Sequence, residues 1–109
     1  MTRVVNIYKD DYDVYIGRPG KGGEGYLGNP IQFGKMCIVC KKVHSDTAEG
    51  RFDLLICYKR WFWLKINSDP LFRVKVMDLK GKRLGCFCKP KPCHGDVIVE
   101  WINAGCPTK

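Results

Sequence analysis

The chain opens with Val4-Val5-Asn6-Ile7-Tyr8, a β-branched and aromatic run that predicts a strand. Val14-Tyr15-Ile16 predicts a second, after the turn residues Asp10, Asp11 and Asp13. From Gly17 to Pro30 the pattern lapses into a loop with six glycines, a length that in a small domain is usually functional or mobile. Ile31 to Phe33 reads as a further short strand. The period then changes. Leu54, Tyr58, Trp61, Phe62 and Lys65 recur at helical spacing toward Ile66, with Ser45, Asp46 and Thr47 as candidate N-caps. Gly50 weakens the first turn and moves the expected start nearer Arg51. Asp69-Pro70 opens a second helix, which Lys80-Gly81 closes. Arg83 to Cys88 reads as a central strand, and Val97 to Ala104 as a last helix entered through Cys93-His94-Gly95-Asp96. This order predicts one small α/β domain over residues 1–109, a short sheet packed with about three helices.

A domain of 109 residues with 45% hydrophobic content builds only a modest core, so a metal staple would add stability. No apolar run reaches the ~18 residues of a membrane span. The longest, Cys57 to Ile66, is broken by Lys59, Arg60 and Lys65, and the first residues lack the apolar stretch of a signal peptide. The expectation is a cytoplasmic protein with no membrane partner. The net charge of +8 favours polyanions, either nucleic acid or nucleotide, with plain solubility as the alternative.

Seven cysteines, an odd number without a secretory leader, point to metal or thiol chemistry rather than disulfides. Cys86 and Cys88 are two apart on a predicted strand and so share a face. Cys93 and His94 follow after a proline-rich turn at a helix start. Three thiols and an imidazole suit tetrahedral zinc. A reactive Cys93 thiol beside His94, or buried cysteines without metal, are the alternatives. Adjacent Cys93 and His94 on one ion is sterically demanding.

Cys37 and Cys40 have zinc-knuckle spacing, His44 follows, and Cys57 on the next helix is the nearest fourth donor, giving C-x2-C-x3-H-x12-C. Cys57 reads equally as a core residue. Two zinc sites of this kind use six of the seven cysteines and both histidines, leaving Cys106. One mixed site of Cys37, Cys40, Cys86 and Cys88 stays open.

Gly17-Arg18-Pro19-Gly20-Lys21-Gly22-Gly23 follows a strand, where glycines let amides approach an anion and Arg18 and Lys21 add charge. It is neither a Walker motif nor a dinucleotide fingerprint, and a plain surface loop is the alternative. Tyr58, Trp61, Phe62 and Trp63 beside Lys59, Arg60 and Lys65 could stack nucleobases, or could form a core face with a solvated edge. Trp61 and Trp63 cannot both face one core.

Val4-Val5-Asn6, Val14 to Arg18, Gly28-Asn29-Pro30 and Leu79 to Asp96, with its C-x-C-x4-C-H-G-D run, resemble an uncharacterised domain-of-unknown-function family, number four-three-two-six. The resemblance covers nearly the whole chain. It implies a phage or bacterial origin and no established activity. The chain has Tyr26-Leu27 where many relatives carry tryptophan before Gly-Asn-Pro. The Cys37–His44 segment resembles an insertion found in part of the family, so residues 37–57 read as a zinc-knuckle insertion.

Three functions follow as expectations. The first is a binding module for a phosphate-bearing ligand, held by Gly17, Arg18, Lys21, Asn29 and Asp96. The second is an enzyme on nucleotides or nucleic-acid bases, with His94 or Asp96 as acid–base, Cys93 as nucleophile, and Arg18 and Asn29 holding substrate. The third is a phage protein that binds a host protein in the bacterial cytoplasm.

Overall fold

The computed structural model describes residues 2–17, 27–86 and 91–107. Strands β1 (Arg3–Asn6), β2 (Val14–Tyr15) and β3 (Arg83–Cys86) form a parallel sheet in the order β1-β3-β2. Helices α1 (Ala48–Ser68), α2 (Pro70–Met77) and α3 (His94–Asn103) complete a small single α/β domain.

Both outer strands run parallel to β3, so residues 7–13 must carry the chain back across the sheet. A parallel crossover usually takes a dozen residues or more and a helix. This shorter link lies flat on β3 because position 85 has no side chain: a Cβ at Gly85 would come within 2.7 Å of both Ile7 and the Tyr12 ring. The link is pinned at its end by Asp13, whose carboxylate accepts from the Arg83 amide at 2.7 Å and from its guanidinium at 3.1 and 3.2 Å.

Alternation places Val4, Leu84 and Cys86 on the opposite face, under the helices. There Gly95 brings α3 close, since a Cβ would meet Ile16 and Val4 at 2.7 and 2.8 Å. An aromatic cluster fills the core: Phe62 meets Phe72 and Trp101 edge-on at 6.0 and 5.8 Å. Burial of each such side chain contributes roughly 1.5–3 kcal/mol.

Several element boundaries differ from the sequence expectation. Strand β1 stops at Asn6 rather than Tyr8, because the Asn6 side-chain oxygen accepts from the Tyr8 amide and turns the chain. Ile31 to Phe33 form no strand; Asn29 holds that stretch by accepting from the Ile31 amide at 2.8 Å. Helix α1 starts at Ala48, before Arg51, capped by Thr47. Gly50 belongs there because a Cβ would collide with the Ser45 carbonyl. Helix α2 ends at Met77, and turns carry the chain on to Gly81. Tyr58 and Phe62 are buried in the core, which removes them as base-stacking surfaces, while Trp61 and Trp63 are each half-buried on the flanks of that ridge. Among the described residues, no helix is long and apolar enough to cross a membrane.

Candidate metal centres and cavity

The segment before α1 folds as a tight hairpin. Met36 and Val43 bridge antiparallel, the Cys37 amide donates to Lys42, and Lys41 takes a left-handed φ of 64° to make the turn. Within the turn the Val39 amide donates to the Cys37 sulfur at 3.4 Å. The hairpin leans on α1, so Cys37, Cys40 and His44 meet Cys57 from the helix's buried face. The four donor atoms lie within 4.8 Å of one another, and Cys40 Sγ is 3.5 Å from His44 Nε2.

Three thiols and an imidazole, mostly buried, match the donor set of a structural zinc site with its ~2.3 Å zinc–sulfur bonds. The electrostatics agree. Burial pushes the Cys37 thiol up, but the amides of Cys40 and Val39, with the His44 and Cys40 side chains, outweigh it and bring it to about 6. Burial, then Cys40 and Cys37 beside it, push Cys57 up to about 12. Without a cation the cluster therefore keeps a proton on Cys57. A bound dication would allow every thiol to ionise.

A second group joins β3 to α3. Cys86 ends the central strand, Cys93 caps α3, and His94 is its first residue; all three are buried and their donor atoms lie within 4.8 Å. The backbone resolves the crowding of neighbouring ligands. Cys93 is extended (φ −144°, ψ 169°) while His94 is helical, so the chain changes direction between them and both side chains converge. The Asp96 carboxylate accepts from the Cys93 amide at 3.1 Å, and His94 Nε2 donates to the Ile16 carbonyl at 2.7 Å. That donation leaves Nδ1 as the nitrogen with a lone pair, the orienting contact typical of metal-bound histidines. The donor chemistry here also fits zinc.

Cys86, Cys93 and His94 line a cavity of about 250 Å³ at the carboxyl ends of β2 and β3. Ligands of open α/β sheets commonly bind at such ends. Gly17 and Asn29 line it as well. Gly17 leaves room for the end of the Tyr15 ring, which an added Cβ would displace.

Arg51 and Phe33, which carry no functional motif, also face the cavity. Arg51 sits 5.1 Å from the Phe33 ring centroid, pairs with Asp46 at 3.3 Å and donates to the Pro92 carbonyl at 3.3 Å. It thus ties the hairpin, α1 and the entry to α3 around the opening. Only the cationic character of a helix-start residue could have suggested it, and that signal is common.

The structure keeps Cys37 and Cys40 in a different group from Cys86, so the mixed four-cysteine site does not form. Cys88, Arg18 and Lys21 lie outside the described residues. The six described cysteines form no disulfide, and Cys106 joins neither group.

Residues 2–104 match the model of the family described as Domain of unknown function (DUF4326). An uncharacterised 12.4 kDa protein from the nrdA-td intergenic region of Enterobacteria phage T4 is 36% identical over 103 residues, spanning 94% of this chain and 79% of the relative. No solved structure matches the chain significantly. With the family model covering nearly all of the sequence, the chain belongs to this phage-type family of domains of unknown function.

Proposed function

We propose that the protein is a two-zinc domain that binds a phosphate-bearing ligand, a nucleotide or nucleic acid, in the cavity at the carboxyl ends of β2 and β3. The observation that carries this reading is the meeting of Arg51, Asn29 and the first residues of α3 around one cavity of about 250 Å³. The amide end of a helix and an arginine both favour an anion, which would compete with Asp46, the partner of Arg51 on the same lining. The net charge of +8 adds a long-range attraction for polyanions. Gly17 lines the cavity, and Arg18 and Lys21 follow it in the sequence as the candidate phosphate contacts.

Zinc at Cys37, Cys40, His44 and Cys57 would fasten the hairpin of the 37–57 insertion to α1. Zinc at the second group would fasten β3 to α3 and supply a Lewis-acidic centre beside the cavity. The enzyme reading has less support. Asp96 is engaged as the partner of the Cys93 amide, and His94 Nε2 is engaged with Ile16.

The test is a titration of the zinc-loaded protein with mononucleotides and with short single- and double-stranded DNA and RNA at two salt concentrations. Removing the charges of Arg18 and Lys21 together should weaken binding and flatten its salt dependence by about one counterion per lost contact. Replacing Lys41 and Lys42 should matter far less. No saturable binding at near-physiological salt would overturn this reading and bring forward the alternative, a host-protein partner.

A further inference from the structure

We infer that an apolar groove beside the cavity holds the nucleobase of the same phosphate-bearing ligand, stacked on the ring of Phe52. This rests on the phosphate reading above and deepens it. The groove has a volume of about 390 Å³ and runs along the first two turns of α1. Ala48, Phe52, Leu55 and Pro92 give it an apolar lining, and Phe52 is 66% exposed. A single exposed phenylalanine is ordinary on a protein surface. One that lines a groove of ligand size, next to an arginine-lined cavity, offers a flat face on which a base can stack.

Groove and cavity adjoin, since Asp46, Arg51, Leu55 and Pro92 line both. Arg51 stands on the shared wall, donating to the Asp46 carboxylate and to the Pro92 carbonyl, each at 3.3 Å. A cationic wall with an apolar groove behind it suits a molecule with one charged half and one flat half, which is the chemistry of a nucleotide. The wall also couples the two halves. The Arg51–Asp46 pair is weak, because the Asp46 side chain is 71% exposed. A phosphate that takes Arg51 releases the Asp46 carboxylate, which then accepts from the amino group of a base in the groove. Lys91, on the same lining, can donate to a base carbonyl. Guanine carries an amino group and a carbonyl on one edge.

The experiment titrates the zinc-loaded full chain calorimetrically with GMP, with ribose 5-phosphate, which lacks the base, and with guanosine, which lacks the phosphate. GMP should bind about tenfold or more tighter than ribose 5-phosphate, the worth of one stacked base. Phe52→Ala should abolish that advantage and leave ribose 5-phosphate binding unchanged, while Phe52→Tyr should retain it. Asp46→Asn should tighten ribose 5-phosphate binding, because Arg51 is released, yet shrink the advantage of GMP. The inference is overturned if GMP and ribose 5-phosphate bind equally, or if the advantage survives Phe52→Ala. Equal, saturable binding of those two probes would leave the phosphate reading standing without the base groove. Guanosine binding that Phe52→Ala abolishes, with no binding of ribose 5-phosphate, would uphold the groove and sink the phosphate reading. No binding of any probe would overturn both and leave the groove to an apolar side chain of a protein partner.

Discussion

His94 Nε2 lies 2.7 Å from the main-chain oxygen of Ile16, joining the start of α3 to the end of β2 across 78 residues of sequence. One imidazole therefore serves two ends: its Nε2 satisfies a buried carbonyl, and its Nδ1 keeps the lone pair for a metal shared with Cys86 and Cys93. His94→Ala should cost about 1–3 kcal/mol from the orphaned carbonyl alone. It should also lower the metal content by one ion. Thermal melts with elemental analysis would check both, and a variant that keeps full metal content would show that His94 is only a structural tie.

The two cysteine groups should fail differently. Cys86 is buried in the central strand, so Cys86→Ser places a hydroxyl in the core and should unfold or aggregate the protein. Cys40 is half-buried on a local hairpin, so Cys40→Ser should loosen mainly residues 34–50. Amide hydrogen exchange separates the outcomes. Equal, global loss of protection in both variants would contradict the description of residues 37–57 as a local insertion.

Gly85 is fixed by the crossing link rather than by its own backbone. Gly85→Ala must displace Ile7 or the Tyr12 ring, both 2.7 Å from the added Cβ. We expect a loss of about 1–3 kcal/mol in denaturant unfolding. Gly34→Ala meets no neighbour within 4 Å, so its cost should come only from its φ of +77°. An unchanged midpoint for Gly85→Ala would mean that the link does not lie on β3.

The Tyr58 hydroxyl is buried without a hydrogen-bond partner among the described residues. Burial, and then the Cys93 sulfur nearby, push its ionisation far above the ordinary tyrosine range. Its ring packs edge-on against His94 at 5.3 Å. Tyr58→Phe should leave stability unchanged or raise it, because an unpaired buried hydroxyl costs about 1–3 kcal/mol. A clear fall in the melting temperature of the metal-loaded protein would show that the hydroxyl gains a partner once the site is filled.

Asp13 offers a direct pH readout. The Arg83 side chain and then the Arg83 amide hold its carboxyl below the usual 3.8. A carboxylate with a depressed folded value contributes stability above its unfolded value and loses it as pH falls through the folded one. Carbon-13 NMR should place the Asp13 inflection below 3.8, and Arg83→Gln should move it back up. An inflection at 3.8 in the wild type would mean that the ion pair does not form in solution.

Much of this architecture is legible because it depends on local signals. Periodicity marks α1 through Leu54, Tyr58, Trp61, Phe62 and Lys65, of which Leu54, Tyr58 and Phe62 are buried, and Asp69-Pro70 marks the start of α2. The spacing of Cys37, Cys40, His44 and Cys57 picks out the four side chains that the structure brings together. What was missed is non-local. Nothing near Gly85 in sequence shows that residues 7–13 cross it. Ile31 looks like a strand residue because it is β-branched, but it is buried by a turn that Asn29 makes. Gly50 looks like a helix breaker, and only the Ser45 carbonyl explains its place inside α1. The cavity is assembled from Gly17, Asn29, Arg51 and Cys93, which no single window contains.

Metal content is the decisive readout for the proposal that both cysteine–histidine groups hold metal. The wild-type protein, purified without added metal, should carry about two zinc ions per chain by elemental analysis, one for each donor set. Cys40→Ser and Cys93→Ser should each carry about one. A wild-type protein that is fully folded and metal-free would overturn the assignment of both metal sites.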